Sequence, residues 1–299
     1  MSCTNALFFP SDRKTQTMCG IAAFFLGHAN LTLADAKLDH AANTIQHRGP
    51  DMSETAIIDA TVRLDFHRLC INGLTSSGMQ PFSSGSWVVI CNGEIYNYKQ
   101  IAQQYSIPLS TGSDCEILPY LLDRMSPHRM CDILDGVFAF VAYNKRTCKI
   151  YAARDPFGVR SLYIGASHNG FGPRMALASE VKCLADAGCV HIAPFPPGQV
   201  FTFDTKTFDE VWGRHHVGFE RQFFPYFAGD SDDVLMAMLR EHLTLAVRKR
   251  VSCDRVPIGC FVSGGLDSSL VAALVVKEIV ASGGRPSDVW TFSIGQEGS

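Results

Sequence analysis

The chain has 299 residues, which at roughly 150 residues per domain implies about two domains. Lys and Arg total 26 against 29 Asp and Glu, a formal charge of −3, so no basic excess points to nucleic acid and no acidic excess to a solvating tail. Hydrophobic residues at 46% and charged residues at 18% exclude a disordered chain, and no apolar run approaches the roughly 18 residues that span a membrane.

The first segment reads in two ways. Arg13 and Lys14 precede the apolar run 18–26, about the length of a signal-peptide core. Their late position, an earlier apolar cluster at 6–9 and the interrupting Thr15-Gln16-Thr17 count against secretion. The competing reading makes Met18 the start and Cys19 the residue exposed when that Met is removed. Taken alone, Cys19 reads as a buried thiol in an apolar strand. The 11 cysteines include no CxxC pair, and no HxxxH or HExxH string occurs. A zinc ribbon or HExxH site is therefore excluded, no metal-ligating residue is expected, and scattered thiols suit a reducing, cytoplasmic setting.

Positions 34–47 carry Ala34, Leu38, Ala41, Ala42 and Ile45 at helical spacing, a weak amphipathic helix. Short strands separated by Gly- and Ser-rich turns follow at 56–64, 66–71 and 87–91, then a helix at 113–125. Further strands read at 134–143, 149–154, 161–164, 174–179 and 200–204, with Pro156-Phe157-Gly158 turning between two of them. The pattern predicts a layered α+β domain with much antiparallel pairing. Aromatic-rich 211–230 reads as a linker laid against a domain surface. A helix then starts at Ser231-Asp232-Asp233 and ends at Arg248-Lys249-Arg250, with an apolar face of Leu235, Met238, Leu239, Leu243, Ala246 and Val247.

The stretch 256–262 reads as a buried strand with Pro257 near its start. Ser263-Gly264-Gly265-Leu266-Asp267-Ser268-Ser269 follows, then an apolar helix over 270–280 closed by Gly283-Gly284. Strand, Gly-rich turn and helix aim backbone N–H groups and a helix dipole at phosphate. No GxxxxGK[ST] string is present, so the loop is not of the Walker type. Asp267 beside a phosphate requires a Mg²⁺ between them.

SGGLDSS resembles the pyrophosphate loop of the ATP pyrophosphatase family. Ahead of it, in order, stand Met18-Cys19-Gly20-Ile21, His47-Arg48-Gly49-Pro50-Asp51, His67-Arg68-Leu69, Asn92-Gly93-Glu94-Ile95-Tyr96-Asn97, Gly112-Ser113-Asp114-Cys115-Glu116, Asp135-Gly136-Val137-Phe138-Ala139-Phe140, Arg154-Asp155-Pro156-Phe157-Gly158 and Ala178-Ser179-Glu180. Each alone is weak, since Asn-Gly is the commonest hairpin turn. Together they resemble a class II glutamine amidotransferase domain, and with SGGLDSS the glutamine-hydrolysing asparagine synthetase family, from about 18 to 298.

The resemblance implies an α+β N-terminal nucleophile (αββα) glutaminase domain over 18–210, the linker 211–230, and over 231–299 the truncated start of an α/β parallel-sheet synthetase domain. Residues 1–17 are then a leader or a miscalled start. It also implies roles. Cys19 is the nucleophile with its own α-amine as base, whose unperturbed pKa of roughly 7.7–8.0 suits neutral pH. Retained residues ahead of Cys19 would silence the site, because an amide nitrogen is no base. Asn92 and Gly93 form the oxyanion hole, and Arg68 grips the substrate carboxylate with a planar fork of donors. Leu69, Cys70, Ile71, Asn72, Glu94 and Asp114 complete the glutamine site, Asp114 and Glu94 facing the ammonium and neighbouring groups. Val262, Ser263, Gly264, Gly265, Asp267, Ser268 and Ile294 take ATP, with Mg²⁺ for charge balance. Glutamine and aspartate are the implied substrates, aspartate being activated as its adenylate and amidated by ammonia, and a homodimer stays open.

Two departures stand out. Arg160-Ser161 replaces the family's more frequent Lys-Pro, and Asn72-Gly73 replaces Val-Asp, so the strand edge near the glutamine is expected to differ. Positions 256–294 supply only one βαβ unit, where the family continues for about as much chain again, and one unit cannot cover both faces of a parallel sheet. A fragment, or a protein that keeps at most glutamine hydrolysis, would fit. Amidation of another carboxylate and a non-catalytic glutamine-binding remnant stay open as alternatives.

Overall fold

The computed structural model of the chain describes residues 18–26, 36–59, 61–167, 173–215 and 231–295. The expected leader and most of the expected linker lie outside them. Strand β1 (Gly20–Phe25) is apolar and buried along its whole length. Ile21, Ala23 and Phe25 enter one hydrophobic cluster and Ala22 and Phe24 another, as alternation requires of a strand covered on both faces. Two-sided burial explains why this run imitates a signal-peptide core.

The elements that follow are α1 (Ala36–Asn43), β2 (Met52–Asp59), β3 (Val62–Arg68), β4 (Phe82–Ser84), β5 (Trp87–Ile95), α2 (Tyr98–Gln104), α3 (Ile117–Leu122) and α4 (Pro127–Ile133). Next come β6 (Gly136–Asn144), β7 (Lys149–Arg154), β8 (Tyr163–Ala166), β9 (Met175–Ala178), α5 (Val181–Asp186), β10 (His191–Pro194), β11 (Gln199–Asp204) and β12 (Glu210–Arg214). They form two six-stranded sheets, in the orders β10-β8-β9-β1-β3-β2 and β12-β11-β7-β6-β5-β4. Between the sheets lie Ile21, Phe25, Leu64, Phe66, Val141, Ile150 and Phe201. Leu38, Ile45 and Leu184 cover the outer face of the first sheet, and Ile101, Leu121 and Met130 that of the second. The result is the expected αββα sandwich. Phe24, Phe25, Phe66, Phe138, Phe140 and Phe201 are each no more than 1% exposed, and burial of such a ring contributes about 1.5–3 kcal/mol.

Several local expectations change. The predicted strand 56–64 is two strands, because Asp59 Oδ1 accepts from Thr61 N and Oγ1, each at 2.8 Å, and turns the chain. The strand expected at 66–71 ends at Arg68, the last residue of β3. Asn92-Gly93 is not a hairpin turn but lies inside β5, opposite Ala139 and Phe138. The helix expected at 113–125 opens as a 3-10 turn over Asp114–Glu116, whose Glu116 carboxylate gathers the N–H groups of Ser110 and Thr111. The start of the expected linker is sheet: β12 pairs with β11, and the Trp212 ring packs, tilted by about 45°, 4.5 Å from Phe201 and 5.1 Å from Phe195. Aromatic contact to the domain is therefore present, but as an edge strand.

Asp155 illustrates how a motif string becomes a fold element. Fully buried, its carboxylate accepts from Phe138 N (3.2 Å), Phe157 N (3.0 Å), Val159 N (3.1 Å) and Arg160 N (3.3 Å). It ties the 155–160 turn to β6. Asp155→Ala is expected to destabilise the domain by about 3 kcal/mol or more, since it strands several buried donors at once, read as a drop in the urea midpoint at constant slope.

The second unit comprises α6 (Asp232–Val251), β13 (Ile258–Phe261), α7 (Leu266–Ala281) and β14 (Val289–Phe292). β13 and β14 are parallel, as expected. Val247 and Val251 of α6 pack with Val275 and Ile279 of α7 against Ile258 and Val289. Leu239, placed on the α6 apolar face by its spacing, is 61% exposed. On the sheet, Phe261 at 88% and Trp290 at 51% are open to solvent, the uncovered face anticipated for a single βαβ unit.

Candidate active site

Two distant motif strings converge on the head of β1. Arg48 Nε donates to Cys19 O at 3.0 Å, and Arg48 Nη1 pairs with Glu180 Oε1 at 3.0 Å. Ser179 Oγ accepts Ile21 N–H at 3.0 Å. Arg48, Ser179 and Glu180 thus fix the backbone on either side of Gly20. The sequence strings flagged these residues without a role; their role is to hold Cys19 in place.

The Cys19 thiol meets the backbone of Leu69, with Sγ 3.4 Å from Leu69 O and 3.3 Å from Leu69 N. Burial pushes its pKa up to about 12, only partly offset by the Leu69 N–H and by Arg160 and Arg68. A neutral thiol at physiological pH needs a neighbouring base to become a nucleophile.

Below it lies a cleft lined by Cys19, Arg68, Leu69, Ile71, Asn72, Gly93 and Asp114, all candidates from the sequence. Arg68 is buried at the end of β3. It donates to Thr75 O (2.5 Å), Asn72 O (3.3 Å) and Gly73 O, which occupies three of its five N–H groups and leaves two for a ligand carboxylate. Asp114 Oδ2 accepts Ile95 N–H at 2.6 Å and Oδ1 accepts Asn72 Nδ2 at 3.2 Å. Burial holds the Asp114 pKa above its ordinary value, and these donors offset only part of that rise; the carboxyl is fixed in place at the cleft, where a cationic group would favour its charged form.

Asn92 is 1% exposed, and among the described residues its Nδ2 has no hydrogen-bond partner. A buried amide donor without a partner is rare, and here it sits one residue before the cleft-lining Gly93. A side chain at Gly93 would come 2.6 Å from Val137 O, so the close approach to β6 admits no other residue.

Cys70, Asn92 and Glu94 are not among the residues that line this cleft. Cys70 contributes its backbone, with N donating to Asp51 Oδ2 at 2.8 Å. Glu94 pairs with Arg160 at 2.5 Å; burial raises its pKa and Arg160 lowers it. Glu94 and Asn72 border a second cavity of about 190 Å³ together with Arg248, Lys249 and Ser252 of the second unit. Gln80, which no sequence signal marked, lines the cleft and clasps Cys91, accepting from its N at 2.6 Å and donating to its O at 3.1 Å.

In the second unit, Gly264 is in the left-handed region at φ 84°, and among the described residues beyond its two chain neighbours no atom lies within 4 Å of where its Cβ would stand. Ser268 Oγ accepts Ser263 N–H at 3.1 Å and lies 3.0 Å from Ser263 Oγ. The loop is an open cradle at the head of the 16-residue α7, which fits a phosphate chain. Asp267 and Ser268 reach an adjoining cavity bounded by Phe261, Val271 and Arg250. Val262 follows β13 directly and its N–H bonds Phe292 O at 2.8 Å. Ile294 is fully exposed and does not line that cavity. Among the described residues no cluster of three or more His, Cys, Asp or Glu could hold a metal ion, and no helix is long and apolar enough to cross a membrane.

An αββα sandwich with a cysteine at the head of a central strand, at a cleft also lined by a guanidinium and a carboxylate, defines an N-terminal nucleophile fold. Residues 18–208 match the glutamine amidotransferase domain family, and residues 238–299 match the asparagine synthase family. The chain belongs to the glutamine amidotransferase family, with an asparagine synthase segment behind it. It is 38% identical over 271 residues to asparagine synthetase (glutamine-hydrolysing) 1 of Saccharomyces cerevisiae, covering 87% of this chain and 44% of that protein. It is 34% identical over 301 residues to a probable asparagine synthetase (glutamine-hydrolysing) of Acanthamoeba polyphaga mimivirus, covering 94% and 52%. The chain therefore spans about half the length of the curated relatives it matches. Among solved structures it is similar in fold to the glutamine phosphoribosylpyrophosphate amidotransferase of B. subtilis, with a TM-score of 0.55 and 19% identity over 89% of this chain and 65% of that one.

Proposed function

We propose that the cleft hydrolyses glutamine and that the ammonia feeds an ATP-dependent amidation of aspartate, the reaction of a glutamine-hydrolysing asparagine synthetase. The observation that carries the first half is one cleft lined by Cys19, Arg68, Gly93 and Asp114, with the buried Asn92 amide, unpartnered among the described residues, next in sequence to Gly93. The asparagine synthase match and the names of the relatives support the second half.

Arg68 holds the substrate α-carboxylate and Asp114 its ammonium, which sets the side-chain amide beside Cys19. The free α-amine of Cys19 takes the thiol proton as sulfur bonds the amide carbon. Asn92 Nδ2 and Gly93 N–H receive the oxygen as it gains charge. The C–N bond then breaks, the amine returns the proton to the leaving nitrogen, and water hydrolyses the thioester to glutamate. Ammonia leaves beside the cavity bordered by Asn72, Glu94 and α6. At the second site, the Ser263–Ser269 loop would cradle the phosphates of ATP, which supplies an adenylyl group to the aspartate carboxylate. Asp267 would offer a carboxylate ligand to Mg²⁺, which would supply positive charge to balance the phosphates. The complete set of nucleophile, amide donor and clamp counts against a non-catalytic remnant.

An electrophilic ketone analogue of glutamine tests the site directly. It is expected to add to the protein once, at Cys19, and free glutamine should protect. Modification spread over the other thiols, unaffected by glutamine, would contradict the reading.

A further inference from the structure

The segment between α6 and β13 reaches back onto the first domain and grips the loop that carries the cleft residues. Asp254 Oδ2 accepts Gly73 N–H at 2.8 Å, and Asp254 N donates to Asn72 Oδ1 at 3.3 Å. Next to it, Arg255 Nη1 donates to Cys70 O at 2.9 Å and pairs with Asp51 Oδ2 at 2.9 Å. That same Asp51 oxygen takes the Cys70 N–H. Two consecutive residues of the second unit thus hold positions 70, 72 and 73.

The other side of this loop is the substrate clamp. Gly73 turns its N–H to Asp254 and its carbonyl to Arg68 Nη2. Asn72 stands between Asp254 N–H and Asp114 Oδ1, one end of its amide on each. The loop needs such a hold. Gly73 has φ 59°, and a Cβ there would come 2.6 Å from Thr111 O, so the position requires the residue with the broadest conformational freedom. Asn72-Gly73 is also where this chain departs from the Val-Asp expected of the family. Valine has no amide to bridge the two partners.

We propose that Asp254 and Arg255 are positioning residues of the glutamine site, orienting Arg68 and Asp114 through the peptide of Gly73 and the amide of Asn72. The proposal rests on the cleft being a glutamine site. It assigns the second unit a part in glutamine binding that is separate from its ATP loop. Asp254 is exposed, so replacing it removes hydrogen bonds without opening the core.

The test uses the chain expressed from Met18, so that Cys19 becomes its first residue, with glutaminase kinetics and amide exchange measured together. Asp254→Ala is expected to raise KM for glutamine about five- to tenfold, the order expected for losing one ordinary hydrogen bond, with kcat within about twofold. Asp254→Asn keeps an acceptor oxygen for Gly73 N–H and is expected to bring KM back to within about twofold of the parent. Without substrate, Asp254→Ala should speed amide exchange over 69–75 about tenfold while the unfolding midpoint stays put. Unchanged KM and exchange in Asp254→Ala and in the Asp254→Ala, Arg255→Ala double variant would overturn the proposal, as would an Asn variant as impaired as Ala. A parent chain that exchanges as expected but does not hydrolyse glutamine would overturn the glutamine reading, and this proposal with it. A parent that hydrolyses glutamine, with variants that do not differ from it, overturns this proposal alone.

Discussion

Protein that begins at Cys19 is expected to hydrolyse glutamine, whereas Cys19→Ala should lower kcat by about 10⁴-fold or more, the scale seen when a covalent nucleophile is removed. Protein that retains residues 1–18 should be comparably inactive. The reason is electrostatic. The thiol is desolvated, with its pKa pushed up to about 12, so almost none of it is thiolate at neutral pH. A free α-amine has an unperturbed pKa of roughly 7.7–8.0 and can take the proton, while the amide nitrogen of a longer chain cannot. The sign of the pH dependence follows. The rate requires the unprotonated amine, so kcat/KM should rise with pH through about 7.7–8.0 and then level off. A profile still rising above pH 10 would show that sulfur ionises without help. Steady-state ammonia release, with intact mass to establish the first residue, reads all of these outcomes.

Asn92→Ala is expected to lower kcat for glutamine by about 10²–10³-fold and to leave KM within a small factor, the signature of a donor used only as charge develops on oxygen. Asn92 Nδ2 is buried and has no partner among the described residues, so its desolvation is already in place before substrate arrives. The same feature gives an independent readout: removing an unsatisfied buried donor should leave stability unchanged or slightly raised, by up to about 1–3 kcal/mol. Lower stability with intact kcat would mean that the amide is a structural group and not an oxyanion donor.

Legibility in the sequence followed the range of the interactions. The apolar run of β1, the turn residues and the Ser-Gly-Gly cradle are local, and they appear in the chain as composition and spacing. The Asn92-Gly93 dipeptide was ambiguous because a hairpin and a crowded strand both favour glycine. Only its pairing with Ala139 and Phe138, more than 40 residues away, distinguishes them. The 56–64 run was apolar enough to read as one strand, yet the Asp59 carboxylate turns it. Gln80 and Arg160 could not be placed at all, since a single polar side chain carries no period and its partners, Cys91 and Glu94, lie on another strand.

What the sequence by itself determined was the order of motifs, the layered α+β class, the two chemical modules, and seven of the residues that line the cleft. Tertiary structure alone decided how they are held. Arg48, Ser179 and Glu180 come together at Cys19, and Asp254 and Arg255 reach loop 70–73, through hydrogen bonds between residues up to 185 positions apart. Side-chain hydrogen bonds are short, directional and indifferent to separation along the chain. They leave no pattern in it and exist only once the sheets have packed.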